Sequence, residues 1–474
     1  MSSINSKNVS SNLFKNTGII AIGQISTKII NFLLLPLYTS LLTKEEYGLI
    51  DLISTYAMLL AVFVGLQLGT AIFRFLIPNR DDDLKLKKLI STVICAVILL
   101  CVIYSVGFVG VSPFILISYK WFLLYLVLAT VYLQVTSGIV RGIGNNSLYA
   151  FGNFLAATIT LVMNVISIAV LHLGVEAMLL AYVVGPILGA TVILILSGCY
   201  KYIALKYFSF TELKKILQYA IPLVPNELSW TLIHSSDRMI VSAIISVSAN
   251  GLLAAASKFS YIYTTAFSIF NTSWTEQVVL HYKDEGGTEY ISKMFDKMVT
   301  FFGSVGIGII TCMPVAYNIL INSQYKDGYG LVFYYVIAVF FNAIIGLISA
   351  IYLVENETKQ IAISTAVAAI INIIVDLALI KFIGVYAAPI SSICAYAIIG
   401  FWRLYDINRR HCSIKMKKRN VIVLLAMLIF SIFAYYQENI WINIINILVV
   451  AIIALYINYD LLKELGGFIF ERKK

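Results

Sequence analysis

The stretch NELSWTLIHSSDRMIV, residues 226–241, carries four ionisable side chains within a long apolar region. They are Glu227, His234, Asp237 and Arg238. A charged side chain at the centre of a bilayer costs roughly 2.5–3.5 kcal/mol even on a lenient insertion scale. A helix with four such groups is therefore expected to turn one face towards protein or water instead of lipid.

The rest of the chain is apolar enough to be a membrane protein. Of its 474 residues, 60% are hydrophobic and only 12% are charged, with a mean hydropathy of +0.90. A soluble chain carries about twice that charged fraction. Apolar runs of about 18 residues or more recur throughout, which predicts an all-α polytopic membrane protein with about fourteen transmembrane helices. The expected spans are 15–38, 47–76, 88–110, 114–137, 147–171, 175–199, 213–243, 249–280, 294–320, 328–354, 360–380, 384–405, 420–436 and 440–459.

The distribution of basic residues predicts the orientation of these spans. The opening segment MSSINSKNVSSNLFKN is polar and lacks the apolar core of a cleavable signal. With the N-terminus in the cytoplasm, only four of the 34 Lys and Arg residues fall in outside loops: Lys44, Lys120, Lys326 and Lys381. This bias fits the positive-inside rule and places both termini in the cytoplasm. It also explains the net charge of +10 without a nucleic-acid partner.

Weak internal similarity predicts a repeat. EYGLIDLISTY (46–56) resembles ANGLLAAASKF (249–259), and GVEA (174–177) resembles GVYA (384–387). We expect an N-lobe of spans 1–6 (1–212), a parallel C-lobe of spans 7–12 (213–410) and two extra C-terminal spans (411–474). Two such six-helix bundles around a central cavity are typical of transporters, which bind substrate where the repeats meet. The alternative is chance similarity between apolar helices.

Two of the expected spans have a polar face. The residues that share a face are Gln24, Lys28 and Asn31 in span 1, and Glu227, His234 and Arg238 in span 7. Pro222 and Pro225 interrupt the backbone where span 7 begins. Interrupted helices with polar faces line cavities, so span 7 is expected to face a wet central cavity. Alternatively, a charged side chain near a helix end reaches the membrane interface or forms a structural ion pair. This alternative is stronger for Asp51, Arg74 and Glu276. It is weaker for Lys28, Lys258 and Asp376.

The segment 221–274, IPLVPNELSWTLIHSSDRMIVSAIISVSANGLLAAASKFSYIYTTAFSIFNTSW, resembles bacterial oligosaccharide flippases of the Wzx type. These belong to the polysaccharide-transporter branch of the MATE-like (MOP) superfamily. The matching features are the prolines before span 7, SDR at 236–238, Gly251, Lys258 and Trp274; Pro36, EEYGLIDL and Arg74 agree in the first half. GLLAAASK departs from the usual aromatic-containing pattern, although its lysine is kept.

The resemblance implies that the protein moves an undecaprenyl-diphosphate-linked repeat unit across the bacterial cytoplasmic membrane. The product would serve O-antigen, capsule or exopolysaccharide synthesis, with a polymerase and a chain-length regulator as possible partners. A diphosphate requires cations in a wet cavity, and lysine binds phosphate as a point charge. The expected substrate-binding residues are Lys28, Gln24, Asn31, Arg74, Lys258, Glu227, His234 and Arg238.

No ATP-binding motif is present, so coupling to Na⁺ or H⁺ or to consumption of the substrate outside is expected, with no other cofactor. Asn372 and Asp376 lie one turn apart in span 11, and span 12 offers Ser391 and Ser392. With Asp237 they supply oxygen donors, which hard cations prefer. The arrangement is similar to the second-half cation site of the lipid II flippase branch. The alternative is a salt bridge from Asp376 or Asp237 to Arg238 or Lys258.

Two other functions remain open from the sequence. A MATE-type drug or metabolite antiporter would share the fold, but buried lysines would repel a cationic drug. A membrane polysaccharide polymerase or ligase would need a sizeable external loop with catalytic residues, and the expected external loops are short. The six cysteines contain no CxxC pair and favour neither a disulfide nor a metal site. We therefore expect a transporter, not an enzyme.

Overall fold

The computed structural model describes residues 32, 34–437 and 439–463. Within these ranges the chain forms sixteen α-helices joined by short turns. The helices are α1 (Leu35–Leu41), α2 (Lys44–Gly65), α3 (Leu68–Leu76), α4 (Asp83–Val111), α5 (Lys120–Gly142), α6 (Asn146–Asn164), α7 (Val175–Leu196), α8 (Phe210–Ala220), α9 (Val224–Ile244), α10 (Val247–His281), α11 (Gly287–Leu320), α12 (Tyr329–Val354), α13 (Thr358–Ile383), α14 (Ala387–Arg410), α15 (Lys418–Tyr435) and α16 (Ile440–Ile457).

The all-α membrane fold expected from the sequence is confirmed. In the described part of the chain, ten helical stretches are long and apolar enough to cross a membrane, and one of them, Thr358–Arg410, contains both α13 and α14. The helices α9 and α10 do not qualify, because the polar residues of 226–241 and of the following helix lower their hydropathy. Expected span 1 lies mostly outside the described residues.

Local sequence signals set where the helices begin. The side chain of Thr43 accepts a hydrogen bond from the backbone N–H of Glu46, and the Glu46 carboxylate accepts one from the backbone N–H of Thr43, a capping box at the start of α2. Asp82, Ser209 and Ser246 cap α4, α8 and α10 in the same way through one side-chain oxygen each. These caps satisfy backbone donors that lipid would leave without a partner.

The chain divides into two compact units, Met1–Ser242 and Ala243–Lys474. Most of α9 thus belongs to the first unit, whereas the sequence assigns its residues to the second lobe. The predicted lobes stay a prediction, namely 1–212, 213–410 and 411–474. They were drawn from repeat similarity, whereas the two units of the structure are defined by their compactness.

Small residues allow close helix packing in the first unit. A Cβ added to Gly138 on α5 would lie 2.2 Å from the carbonyl oxygen of Gly69 on α3, so only glycine fits this crossing. Gly185 on α7 is similarly close to α6, where an added Cβ would lie 2.0 Å from Oγ1 of Thr160. Close contact between small residues stabilises membrane helices, because burial out of lipid gives no hydrophobic gain.

The second unit has an aromatic core around α10, α11 and α12. The indole Nε1 of Trp274 donates to the carbonyl oxygen of Leu347 at 2.9 Å, and Phe267 packs edge-on against Phe302 at 5.1 Å between ring centroids. The two last helices pack on α11. The amide of Asn458 donates to Oγ of Ser304 at 3.0 Å, so the extra C-terminal helices are bonded into this unit.

Candidate functional site

The helix that contains 226–241 has one exposed polar face. Glu227 and His234, two turns apart on α9, are both exposed, and the His234 ring stacks on Trp230 with the centroids 6.0 Å apart. A lipid-facing position would be costly for these polar groups. The wet cavity expected at this face and the assignment of both residues to substrate stay predictions.

The other two ionisable residues of this stretch are buried. Arg238, one turn beyond His234, is 6% exposed, and its Nη1 pairs with Oδ2 of Asp51 on α2 within the first unit. Asp237 is 4% exposed and accepts a hydrogen bond from the backbone N–H of Arg238 at 3.0 Å. The sequence considered Asp237 and Asp376 as salt-bridge partners for Arg238; the structure shows an ion pair with Asp51, which the sequence did not predict.

A second polar face runs along α10. The Lys258 stripe, as we call it, consists of residues three, four or seven positions apart along one side of this helix: Lys258, Tyr261, Ser268, Thr272 and Glu276. Lys258 is half-buried and its Nζ lies 5.4 Å from the centroid of the Tyr261 ring, while the other four are exposed. The hydroxyl of Thr272 donates to the carbonyl oxygen of Ser268. The lone pairs of the Thr272 oxygen can therefore still accept hydrogen bonds. The stripe combines one basic residue, an aromatic face and hydroxyl groups, with one acid, Glu276, near the C-terminal end of the helix.

The helix α10 is long enough to extend beyond the hydrocarbon of a bilayer. Its 35 residues span about 50 Å, against a hydrocarbon thickness of about 30 Å. Lys258 is eleven residues from the first residue, Val247, which places its backbone within the helix and not at an end. An exposed polar stripe at this depth is stable only where it meets water or another polar surface.

Arg74 on α3 is exposed and lies over the ring of Tyr219 on α8, with its Cζ 4.3 Å from the centroid. This aromatic contact fixes the guanidinium while leaving its hydrogen-bond donors accessible. Its predicted role in substrate binding is not decided by this geometry.

The backbone before Arg74 is broken, which the sequence did not predict. Expected span 2, 47–76, is divided into α2 and α3 by Leu66 and Gln67, which have φ of 44° and 56°. Two consecutive non-glycine residues in the left-handed region are uncommon and strained. Membrane helices tolerate such a break where protein or water satisfies the freed backbone groups.

The residues expected to bind a coupling ion meet between α13 and α14 in the second unit. The Asn372 amide donates to Oγ of Ser391 at 3.1 Å and to Oγ of Ser392 at 3.2 Å. Asp376, one turn further along α13, is fully buried. The structure thus brings the expected amide and hydroxyl groups together, whereas Asp237 belongs to the other compact unit. Among the described residues, no cluster of three or more His, Cys, Asp or Glu side chains is arranged to hold a metal.

Arg403 is a buried residue that the sequence placed at the end of a span and counted with the inside loop. Its side chain is fully buried, with Nε donating to Oγ of Ser364 at 2.9 Å and Nη1 to Oγ of Ser349 at 2.7 Å. Nη2 adds a bond to Oγ1 of Thr365 at 3.1 Å. This guanidinium therefore joins α12, α13 and α14 through hydroxyl groups, and it holds the two helices that carry Asn372 and Ser391.

Lys28, Gln24 and Asn31, the polar face expected in span 1, lie outside the described residues. Their roles stay predictions from the sequence.

Comparison with known structures defines the class of protein. The lipid II flippase MurJ in its inward closed conformation aligns with a TM-score of 0.73 over 94% of this chain and 99% of its own, at 16% identity. An inward-facing multidrug resistance MATE family transporter of the MOP superfamily aligns with a TM-score of 0.65 over 82% of this chain and 98% of its own, at 16% identity. The outward-facing conformation of a multidrug resistance MATE family transporter aligns with a TM-score of 0.58 over 83% of this chain and 94% of its own, at 17% identity. The chain thus has the fold of this superfamily.

The family itself follows from the sequence match. Residues 13–275 match the family described as polysaccharide biosynthesis protein, and the chain belongs to that family. No curated protein matches the chain. Family and fold together confirm the resemblance drawn from 221–274 and establish a multi-pass membrane protein of the polysaccharide biosynthesis family with the MurJ and MATE fold.

Proposed function

We propose that this protein flips an undecaprenyl-diphosphate-linked oligosaccharide across the bacterial cytoplasmic membrane, with both termini in the cytoplasm. Membership of the polysaccharide biosynthesis family supports the substrate class. The observation that carries the proposal is the Lys258 stripe, which places a basic side chain among hydroxyl and aromatic groups on an exposed face of α10.

The chemistry of the stripe suits a lipid-linked glycan. The ammonium group of Lys258 neutralises part of the diphosphate charge, and Tyr261 and the hydroxyls of Ser268 and Thr272 contact sugar. In expected span 1, Lys28 would supply a second cation beside Gln24 and Asn31. The remaining residues of the proposed substrate site are Arg74, Glu227, His234 and Arg238.

A cationic-drug antiporter of the MATE type is the competing function. It shares the fold, but the stripe carries a half-buried basic residue, Lys258, and a cationic drug would be repelled by it. An anionic substrate gains from the same residue. A polymerase or ligase is disfavoured because the relatives named above are flippases and transporters.

The test uses cells in which this chain is the sole flippase for a surface glycan. Lys258→Ala and Lys28→Ala should each abolish surface glycan at unchanged protein level, because each removes a cation from the diphosphate. Lys258→Arg should retain partial export, because charge matters more than shape. Lys381→Gln is the matched control, an exposed lysine in the last turn of α13. Normal export by the Lys28→Ala, Lys258→Ala double variant would refute this role.

We further propose that a monovalent cation, Na⁺ or H⁺, drives the cycle through Asn372, Asp376, Ser391, Ser392 and Asp237. Support comes from the hydrogen-bonded amide and hydroxyl groups between α13 and α14 and from the buried carboxylate of Asp376. Binding of the cation would bias the protein towards one opening and its release would reset it.

Replacement of Asp376 by Asn tests the coupling separately from substrate binding. Asp376→Asn should slow transport and remove its dependence on the ion gradient, while binding of the lipid-linked substrate survives. Transport at the wild-type rate with unchanged gradient dependence would show that the coupling ion binds elsewhere. In that case the proposed flippase function would still be supported by loss of export in the Lys258→Ala variant.

A further inference from the structure

The short helix α8 is fixed to the first unit by one face. Glu212 is buried and pairs with Nζ of Lys85 on α4 at 2.8 Å and with Nζ of Lys215 at 3.3 Å. Ile216 and Ala220, one and two turns further on, are fully buried. Just before the helix, the backbone N–H of Ser209 donates to Oγ1 of Thr92 at 3.1 Å. The helix is therefore held rigidly.

The opposite face of α8 is apolar and open. It forms a groove of about 450 Å³ lined by Phe210, Leu213, Lys214, Leu217, Gln218, Ile221 and Pro222. Phe210 is 78% exposed and Ile221 is 51% exposed. The α8 groove, as we call it, thus combines a continuous apolar floor with one cationic side chain, Lys214, which is exposed.

The place of α8 in the chain, after the membrane-crossing helix α7, agrees with a position at a membrane surface. The membrane-crossing helix α7 ends at Leu196, and α9 begins at Val224, directly after a turn at Ile221–Leu223 that contains Pro222. The structure thereby breaks expected span 7, 213–243, into a separate helix of 11 residues and α9. Eleven residues extend about 16 Å, too short to cross a bilayer.

The segment around α8 has the composition of an interfacial element. Four lysines lie between the end of α7 and the start of α9, namely Lys201, Lys206, Lys214 and Lys215. The Nζ atoms of Lys201 and Lys206 lie 5.8 and 5.1 Å from the ring centroids of Tyr200 and Tyr207. The acid in this segment, Glu212, is already paired internally. Lysine and tyrosine beside exposed apolar residues are typical of the headgroup region.

We propose that the α8 groove binds an anionic phospholipid of the surrounding membrane. One acyl chain lies along Phe210, Leu213, Leu217 and Ile221, and the phosphate lies at the ammonium group of Lys214. Charge complementarity selects an anionic headgroup over a zwitterionic one, because the segment offers unneutralised lysines and no accessible carboxylate. The inference is independent of which substrate the protein transports.

The experiment compares lipid binding to the purified full-length chain by native mass spectrometry. The probes are dioleoylphosphatidylglycerol, which is anionic, and dioleoylphosphatidylcholine, which is zwitterionic. Wild type should retain phosphatidylglycerol in preference. Lys214→Gln should weaken phosphatidylglycerol binding about fivefold, because one basic residue near an anionic surface contributes an effect of about that size. Binding of phosphatidylcholine should not change. Lys214→Arg should bind as wild type does, and Lys381→Gln is the matched control for loss of an exposed lysine.

A second arm locates the acyl chain. Phosphatidylglycerol with a photoreactive group in one acyl chain should crosslink to the peptide that contains residues 210–222, and Phe210→Ser should reduce this crosslink. Each variant is first checked for an unchanged melting temperature. Crosslinks confined to other parts of the chain would overturn the proposal, as would equal phosphatidylglycerol binding by wild type and Lys214→Gln.

Discussion

The ion pair between Asp51 and Arg238 provides the sharpest test of the first unit. The side chains of Arg238 and Asp51 are 8% and 15% exposed, so water and salt screen the pair little. Removing one partner of a buried pair leaves a desolvated charge and costs about 3–5 kcal/mol. We therefore expect Arg238→Gln and Asp51→Asn each to lower the melting temperature of the purified protein markedly.

The double variant decides between a structural and a substrate-binding role for Arg238. Arg238→Gln combined with Asp51→Asn removes both charges, so it should be far more stable than the sum of the two single effects predicts. Additivity of the single effects within about 0.5 kcal/mol would refute the ion pair as a stabilising contact. If the double variant is stable and still exports glycan, Arg238 stabilises α9 against α2; if it is stable but inactive, Arg238 contacts substrate as the sequence predicts.

Two further predictions concern α8 and the helix crossing in the first unit. The hydrogen bond from Lys85 holds the pKa of Glu212 below its ordinary value of 4.5, so its stabilisation is complete above that pH and is lost as the pH falls through the lowered pKa. Glu212→Gln should therefore reduce the melting temperature at pH 7 and make its fall below pH 4.5 less steep. A fall below pH 4.5 as steep as that of the wild type would contradict this. Gly138→Ala should destabilise the protein by about 1–3 kcal/mol through overcrowding, whereas Gly107→Ala, with open space around its Cβ, should not; equal melting temperatures would show that the crossing can relax.

Composition and hydrophobic pattern were sufficient to predict the membrane fold. Long apolar runs define most helices directly, and the polar stretch 226–241 forms a helix in which Glu227 and His234 are exposed while Asp237 and Arg238 are buried. Asn372, Ser391 and Ser392 were expected together as oxygen donors of a cation site, and the structure does bring their side chains into hydrogen-bond contact, while their role stays a prediction.

Features that depend on distant contacts could not be predicted. Asp51 and Arg238 are 187 positions apart, and nothing in a single sequence pairs them. The break at Leu66 and Gln67 lacks proline or a glycine at the strained positions, so its only signal is the nearby Gly65 and Gly69. The burial of Arg403 depends on hydroxyls from two other helices, which turn an apparent end-of-span cation into an interior one.

The central claim is tested most directly by transport in liposomes. The purified chain is reconstituted with an undecaprenyl-diphosphate-linked oligosaccharide that carries a fluorophore, and a membrane-impermeant quencher reports how much of it changes leaflet. Wild type should move the lipid-linked oligosaccharide at a rate well above protein-free liposomes, and Lys258→Ala should reduce that rate to background while Lys381→Gln does not. Equal rates for wild type, Lys258→Ala and protein-free liposomes, at matched and verified reconstitution, would contradict the account.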